Sequence, residues 1–382
     1  MKSEDLIELA RKKVKGKKYN EAISLFKKAF EQNPKNFFLQ IELGNIFAVC
    51  NRFEEAAGCF RRANRRFPDN EDIKTGLGFC LCQIGNKYHA QRNFTMAQAA
   101  FEEATFFCPQ DASYLYNLGN AYYAQSNFQM ALESFKQSSS LVSDADIYHN
   151  IGNTLKKTND FTNAKINYKL ALGLKGNQIH TIVELIQLKQ NTCDWSDLSE
   201  LIGKLKGHLA NHSSSQISPF AALSMPGLDN KEHLTIANSW INSQNFDLQN
   251  SKKLSRRNTD EKITLAYMSA DFRMHPLYYL IIDILKLHKR EKFEIKLLYS
   301  GKNDNSAEMK EFKSLKADFI DISQLSDKML CDKIIEEKVD ILIDLSGFTM
   351  SSRSMIAAYK PAPITINWLG FPGTMGYFDK EP

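Results

Sequence analysis

The sequence predicts an all-α superhelix of repeated helix pairs followed by an α/β domain built on a parallel sheet. Three observations carry this. The first 178 residues repeat at a period near 34, the apolar spacing changes at Ile263 from helical to short strand-like runs, and helix-like stretches separate those runs. The reading divides the chain into repeats at 3–178, a helical adaptor and linker at 179–260, and an α/β unit at 261–382.

The first repeat is marked by Ala10, Tyr19, Ala22, Phe26, Ala29 and Pro34, and the second by Gly44, Ala56, Phe60, Ala63 and Pro68. The third carries Gly78, Phe94, Ala97, Phe101, Ala104 and Pro109, with about seven extra residues placed near 85–92 and expected to bulge at the turn or the adjoining helix ends. Gly119, Tyr122, Phe128, Ala131 and Phe135 mark the fourth; Gly152, Phe161, Ala164, Tyr168 and Ala171 mark the fifth. A small residue on the first helix admits its partner closely, an aromatic on the second fills the groove, and proline ends the unit because it cannot extend the helix before it. Each pair exposes an apolar face that only a neighbour can cover, so the copies stack. The pattern resembles tetratricopeptide repeats. Such a stack leaves a groove for an extended peptide, where Asn117 and Asn150 offer an amide donor and acceptor to a peptide backbone, or else bond between neighbouring repeats. Glu8, Glu42 and Gly76 are read as their counterparts in the earlier copies.

From residue 179 the register is lost. IHTIVELIQLKQ predicts a helix capping the stack, and CDWSDLSELIGKLKGHL another, with Asp194 or Ser196 as cap and Trp195 as anchor. HSSSQISP reads as a loop, FAALSMPGL and HLTIANSWINSQ as short helices, and LQNSKKLSRRNTDEK as a solvent-facing linker.

The α/β unit offers strands at ITLAYMS, FEIKLLYS, DFIDIS, VDILIDL and ITINWLG, with helices at HPLYYLIIDILKLH, SAEMKEFKSL, DKMLCDKIIEEK and SRSMIAAYK. Five strands alternating with four helices predict a doubly wound parallel sheet, whose ligands sit beyond the carboxyl ends of the strands. Asp271, Arg273, His275, Asp344, Thr349, Arg353 and Thr374 are thereby expected on one rim. His275 precedes Pro276, which suits the first turn of a helix, so its ring lies near that helix's positive end. That position suits either a general base or a donor to a leaving group, or a histidine that merely caps the helix. Gly347, Gly370, Gly373 and Gly376 fit either tight turns or backbone facing a ligand.

Composition narrows the function classes. No apolar run of about 18 residues occurs and the opening MKSEDLIELARKK carries acids, so no membrane span or secretory leader is expected and the cytoplasm is the default. The net charge of +5 is small, and Arg61, Arg62, Arg65 and Arg66 form a solvated helix face or touch an anion; no nucleic-acid-binding motif accompanies them. Seven scattered cysteines, with Cys80 and Cys82 inside an apolar helical pattern, and eight histidines without ligand spacing give no metal site. Neither a GxGxxG nor a phosphate-loop lysine motif is present.

Several stretches together resemble the repeat-containing protein O-linked N-acetylglucosamine transferases: CDW at Cys193–Trp195, SPFAALSMPG at Ser218–Gly227, YMSADFRMHP at Tyr267–Pro276, DILIDLSGFT at Asp340–Thr349 and KPAPITINWLGFPGTMG at Lys360–Gly376. The resemblance implies an inverting transferase that moves N-acetylglucosamine from UDP-GlcNAc to Ser or Thr hydroxyls of intracellular proteins. It implies two Rossmann-like domains in a glycosyltransferase-B arrangement, the α/β unit being the first, with no cofactor or metal beyond the donor substrate. By similarity His275 is the active-site histidine, Asp344, Thr349, Phe371, Pro372, Gly373 and Thr374 line the acceptor and sugar side, and the groove with Asn117 and Asn150 presents the protein substrate. A repeat face is a plausible dimer surface. Phe348 stands where relatives carry His or Tyr, and Tyr279 where some carry a second histidine. The donor-binding second domain is not encoded before Pro382, so little or no transfer is expected from this polypeptide by itself; a non-enzymatic protein-binding scaffold is the alternative.

Overall fold

The computed structural model describes residues 2–34, 36–211, 217–243, 261–349 and 352–376. It separates into two compact units, Met1–Cys193 and Asp194–Pro382.

The first unit is five helix pairs and one closing helix. The pairs are α1 Ser3–Lys15 with α2 Tyr19–Gln32, α3 Phe38–Val49 with α4 Phe53–Arg66, α5 Glu71–Ala90 with α6 Phe94–Phe107, α7 Ala112–Ala124 with α8 Phe128–Leu141, and α9 Ala145–Lys157 with α10 Phe161–Leu174; α11, Ile179–Asn191, packs on α10 and α9. Within each pair one non-glycine residue turns the chain in the left-handed region: Lys17, Asn51, Arg92, Ser126 and Asn159, at φ 56–62°. Side chains of Asn93, Asn127 and Asp160 then cap the second helices by accepting a backbone N–H, and Asn70, Asp111 and Asp144 cap first helices the same way.

The third pair corrects the sequence register. Phe60, Phe135 and Tyr168 lie against Gly44, Gly119 and Gly152, where a Cβ would come within 2.9, 2.6 and 2.5 Å of the ring. Phe101 lies against Gly85, at 2.5 Å, and Gly78 instead meets Cys108 and Tyr114. The extra residues are therefore not a bulge near 85–92. They extend α5 at its N-terminal side, giving 20 residues where α7 and α9 have 13. Seven residues are about two helical turns, so the insertion restores the helix face and the stack continues.

The second unit opens with α12 Leu198–Asn211, α13 Pro219–Ala222 and α14 Asn230–Ser243. Asp194 does not cap α12; its Oδ1 accepts from Ser196 in a turn, and the helix begins after Asp197. Trp195 is 63% exposed and anchors nothing within this unit's core, because the turn ends before the amphipathic stripe begins. Most of the HSSSQISP loop and of the LQNSKKLSRRNTDEK linker lies outside the described residues.

The sheet follows: β1 Ile263–Ser269, α15 Pro276–Leu287, β2 Phe293–Tyr299, α16 Ala307–Ser314, β3 Asp318–Asp321, α17 Asp327–Glu336, β4 Ile341–Asp344, a 3₁₀ helix at Ser354–Tyr359 and β5 Ile364–Asn367. All neighbours are parallel, in the order β3-β2-β1-β4-β5. Leu265 and Tyr267 of β1 join α15 and α16 in one core, while Ala266 and Met268 join α17 and the 3₁₀ helix in another. The sheet is thus wound on both faces, and the winding reverses between β1 and β4. The stretch expected as an α-helix at SRSMIAAYK is the 3₁₀ helix; Lys360, left-handed at φ 47°, and Pro361 stop it after six residues. A third core joins Phe348, Phe371 and Met375 to Ala237 and Ile241 of α14. No described helix is long and apolar enough to cross a membrane.

Candidate functional site

A cleft of about 800 Å³ opens where the winding of the sheet reverses. Its walls come from the segments after four strands: Ala270, Asp271, Arg273 and His275 after β1, Ser300, Gly301 and Lys302 after β2, Leu345 and Thr349 after β4, and Leu369 and Gly370 after β5. Leu280 of α15 and Phe220 of α13 add apolar surface. The loops meet backbone to backbone. A Cβ on Gly301 would lie 2.1 Å from the Ala270 carbonyl oxygen, and one on Gly370 would lie 1.9 Å from that of Leu345.

His275 is the N-cap of α15, and its Nδ1 accepts the Leu277 N–H at 3.2 Å. With Nδ1 accepting, a neutral ring carries its proton on Nε2. Nε2 stands 3.9 Å from Asp271 Oδ2, and the other Asp271 oxygen accepts from Arg273 Nη2 at 3.0 Å. The Met274 N–H, donated to Asp304 Oδ2 at 3.2 Å and Ser306 Oγ at 3.1 Å, ties this loop to the one after β2. The resulting wall carries an imidazole N–H, the Arg273 guanidinium with its Asp271 partner, and Lys302 beside the N-terminus of a helix, a set with net positive charge that suits an anion.

The rim expected from sequence is narrower in three dimensions. Thr349 lines the cleft together with His275, Asp271 and Arg273. Asp344 is only 3% exposed and sits under the turn after β4, where Oδ1 accepts the N–H groups of Ser346 at 2.9 Å and Gly347 at 3.2 Å. Its Oδ2 is buried without a partner, and burial pushes its carboxyl above the ordinary range against the hydrogen bonds from the Ser346 and Gly347 amides. Asp344 therefore shapes the turn that delivers Leu345 and Thr349. Arg353 points to the other face of the sheet, its Nε donating to Asp327 at 2.8 Å. Phe371 is buried, edge-on to Phe348 with centroids 5.4 Å apart, and Gly373 packs over its ring. Pro372 is exposed, and Thr374 Oγ1 accepts the Gly376 N–H at 3.2 Å. Phe371 fastens the segment after β5 to α14, and none of these four residues lines the cleft.

The family described as glycosyl transferase family 41 matches residues 192–379, and tetratricopeptide-repeat families match 14–78, 82–139 and 145–178. Among curated proteins, the probable UDP-N-acetylglucosamine–peptide N-acetylglucosaminyltransferase SEC of Arabidopsis thaliana is 28% identical over 205 residues, half of this chain and 21% of that one. The corresponding Caenorhabditis elegans transferase is 26% identical over 210 residues, 49% of this chain and 17% of that one. Arabidopsis SPINDLY, named as a probable enzyme of the same kind, is 32% identical over 124 residues, 31% of this chain and 14% of that one. This chain is a tetratricopeptide-repeat protein distantly related to the O-GlcNAc transferase and SPINDLY glycosyltransferases. It spans about a fifth or less of the length of these relatives. Among solved structures, a mutant O-GlcNAc transferase of Thermobaculum terrenum aligns with 79% of this chain and 51% of its own, at 18% identity and a TM-score of 0.40.

In this glycosyltransferase relative, three cleft residues escaped the sequence reading: Ser300, Gly301 and Lys302. The signal was available, since β2 pairs directly with β1 and the strand-end rule applies to it equally. In the repeats, Asn117 Nδ2 donates to Cys82 Sγ at 3.4 Å, and Asn150 Nδ2 donates to Tyr116 Oη at 3.1 Å and Asn120 Oδ1 at 2.9 Å. Asn150 thus spends both amide donors on the preceding repeat and Asn117 one of its two, and both reach across neighbouring repeats. The corrected register makes Gln83, two residues before Gly85, their counterpart in the third repeat in place of Gly76. Among the described residues, no group of three or more His, Cys, Asp or Glu could hold a metal ion.

Proposed function

We propose that the sheet unit is the acceptor-side half of an inverting glycosyltransferase site. On this reading the enzyme moves N-acetylglucosamine from UDP-GlcNAc to Ser or Thr hydroxyls of cytoplasmic proteins, and the repeat unit binds extended segments of them. The supporting observation is the cleft at the reversal of winding, with His275 held at the start of α15 and Arg273 and Lys302 on the same wall. In the reaction the acceptor oxygen bonds to the anomeric carbon as the bond to the diphosphate oxygen breaks. The bonding pair leaves with UDP, and the hydroxyl proton passes to solvent or a base. Negative charge grows on the leaving group, so donors aimed at it are stronger in the transition state than in the ground state. His275 serves as such a donor through Nε2–H; as a base it would first have to give up its helix cap. Thr349 and the Gly370 backbone face the sugar or acceptor, Asp344 and Phe371 to Thr374 support those loops, and a donor-binding domain completes the site.

The test is transfer of labelled sugar from UDP-GlcNAc to a Ser/Thr peptide by the protein as its native cell makes it. His275→Ala is expected to lower kcat by about a hundredfold, the scale of one transition-state donor, with peptide KM unchanged. His275→Asn, which keeps a cap acceptor and an N–H donor, should recover part of the rate. An unchanged kcat in His275→Ala removes this residue from the mechanism. Absence of transfer with peptide binding retained would leave a binding scaffold. Titration of UDP into the present chain should give no micromolar binding.

A further inference from the structure

We propose that the first two repeats carry a second recognition surface, separate from the first-helix groove, that binds acidic peptide segments and takes one of their apolar side chains. Charge is unevenly spread along the chain. Residues 1–66 hold 15 Lys and Arg against 8 Asp and Glu, whereas residues 67–382 hold 34 against 36. At the C-terminal end of α4 this excess surrounds a pocket of about 250 Å³ lined by Phe30, Phe37, Gln40, Arg62, Arg65 and Arg66.

The pocket is organised. Gln40, only 2% exposed, accepts Arg62 Nε at 2.9 Å and fixes that guanidinium at the rim. Other arginines of these helices are ion-paired: Arg61 with Glu103, Arg52 with Glu55 and Arg11 with Glu42. Arg65 and Arg66 have no acidic partner among the described residues. Beside them Phe38, 65% exposed, stacks on Phe67 at 5.5 Å and continues the apolar surface. A helix C-terminus favours a cation, which accounts for one arginine in the last turn of α4 but not for three around an aromatic floor. Guanidinium forks match carboxylates, and the volume suits one Leu or Phe side chain while falling below that of usual cofactor sites. The half-buried rings form the floor of a hole rather than free platforms for successive bases, so a peptide fits better than single-stranded nucleic acid.

The experiment is fluorescence anisotropy of the full chain with a labelled 15-residue peptide of Glu and Leu. Arg65→Glu/Arg66→Glu is expected to weaken binding at least about tenfold and Phe37→Ala about fivefold. Lys12→Glu/Lys15→Glu, with the same change in net charge, should alter it less than about twofold. Replacing Glu by Gln in the peptide should also cost about tenfold. Arg65→Gln/Arg66→Gln provides a milder variant, with circular dichroism checking the fold of each. Equal losses in the two charge reversals, no effect of Phe37→Ala, or no peptide binding at millimolar concentration overturns the proposal. So does tighter binding of polyuridylate at the same arginines, which would mark a nucleic-acid surface.

Discussion

The repeat unit and the sheet unit are built on opposite principles. In the repeats Phe60, Phe101, Phe135 and Tyr168 of the second helices each meet a glycine sixteen positions earlier on the first helix of the same pair, as Phe135 meets Gly119 and Tyr168 meets Gly152. In the sheet, β1 pairs with β2 about thirty residues on, but also with β4 through Leu265 and Ile341, 76 positions apart. Local contacts make a repeating scaffold whose exceptions stand out, such as the long α5 and the unpaired arginines of α4. Remote contacts make a site from loops that sequence never places side by side. A repeat array should therefore answer damage locally and the sheet as a whole.

The largest effect that can break this contrast is Phe135→Ala. Its ring is fully buried, so the loss should be about 3–5 kcal/mol. Amide exchange should rise in α7 to α10 while β1 to β5 keep their protection; a rise in the sheet refutes the locality. Next is Lys296→Met in β2. Lys296 is buried among Glu294 at 2.9 Å, Asp318 at 3.0 Å and Glu337 at 2.8 Å. Burial alone would lower its ammonium, but these hydrogen bonds outweigh it and hold it above its usual value. Removing it leaves three partly solvated acids close together and loses three charged hydrogen bonds, which should cost about 1–2 kcal/mol and raise exchange across all neighbouring strands. The Lys296 ammonium holds Glu337 below its ordinary value of 4.5, so that contribution is present above pH 4.5 and fades as pH falls. Denaturation of the two proteins should accordingly converge in acid.

A smaller effect sharpens the comparison inside the repeats. His149 Nδ1 lies 2.8 Å from Thr181 Oγ1, whose hydroxyl donates to Gln178, and its Nε2 lies 3.0 Å from Asn153 Nδ2, while Tyr168 donates to Asn153 Oδ1. Both ring nitrogens are thus used in the neutral form, and burial pulls the imidazole below its usual 6.5. The unfolded chain takes up this proton first, so stability is full above pH 6.5 and declines as pH falls from there towards the folded value. Exchange in α9 to α11 should rise over that interval, and His149→Gln should remove the slope. Smallest are Gly203→Ala in α12, where a Cβ meets nothing within 4 Å, and Gly58→Ala in α4, where it meets only Arg62 at 3.8 Å. Each should stabilise its own unit by about 0.5–1 kcal/mol in chemical denaturation.

The helix pairs and sheet were legible because apolar spacing and turn residues act over a few positions. The third repeat misled because two full turns were inserted. Seven residues return to almost the same helix face, so Gly78 and Gly85 share that face, but only Gly85 keeps the sixteen-residue spacing to Phe101 that Gly44, Gly119 and Gly152 keep to their aromatics. Asp344 was expected at the rim for being polar at a strand end. Its backbone position is there, but the turn folds its carboxylate inward onto the Ser346 and Gly347 amides. Phe371 was expected on the acceptor and sugar side from the family resemblance, whereas its ring is buried over Gly347 and Gly373.

Sequence alone determined the stacked repeats, the parallel strands and the placing of His275 ahead of Pro276, since each follows from local periodicity, capping or the backbone preferences of single residues. Tertiary structure alone decided which strand-end residues share the cleft and which arginines stay unpaired. Those outcomes depend on side-chain direction and on contacts between segments far apart in the chain, which no local pattern records.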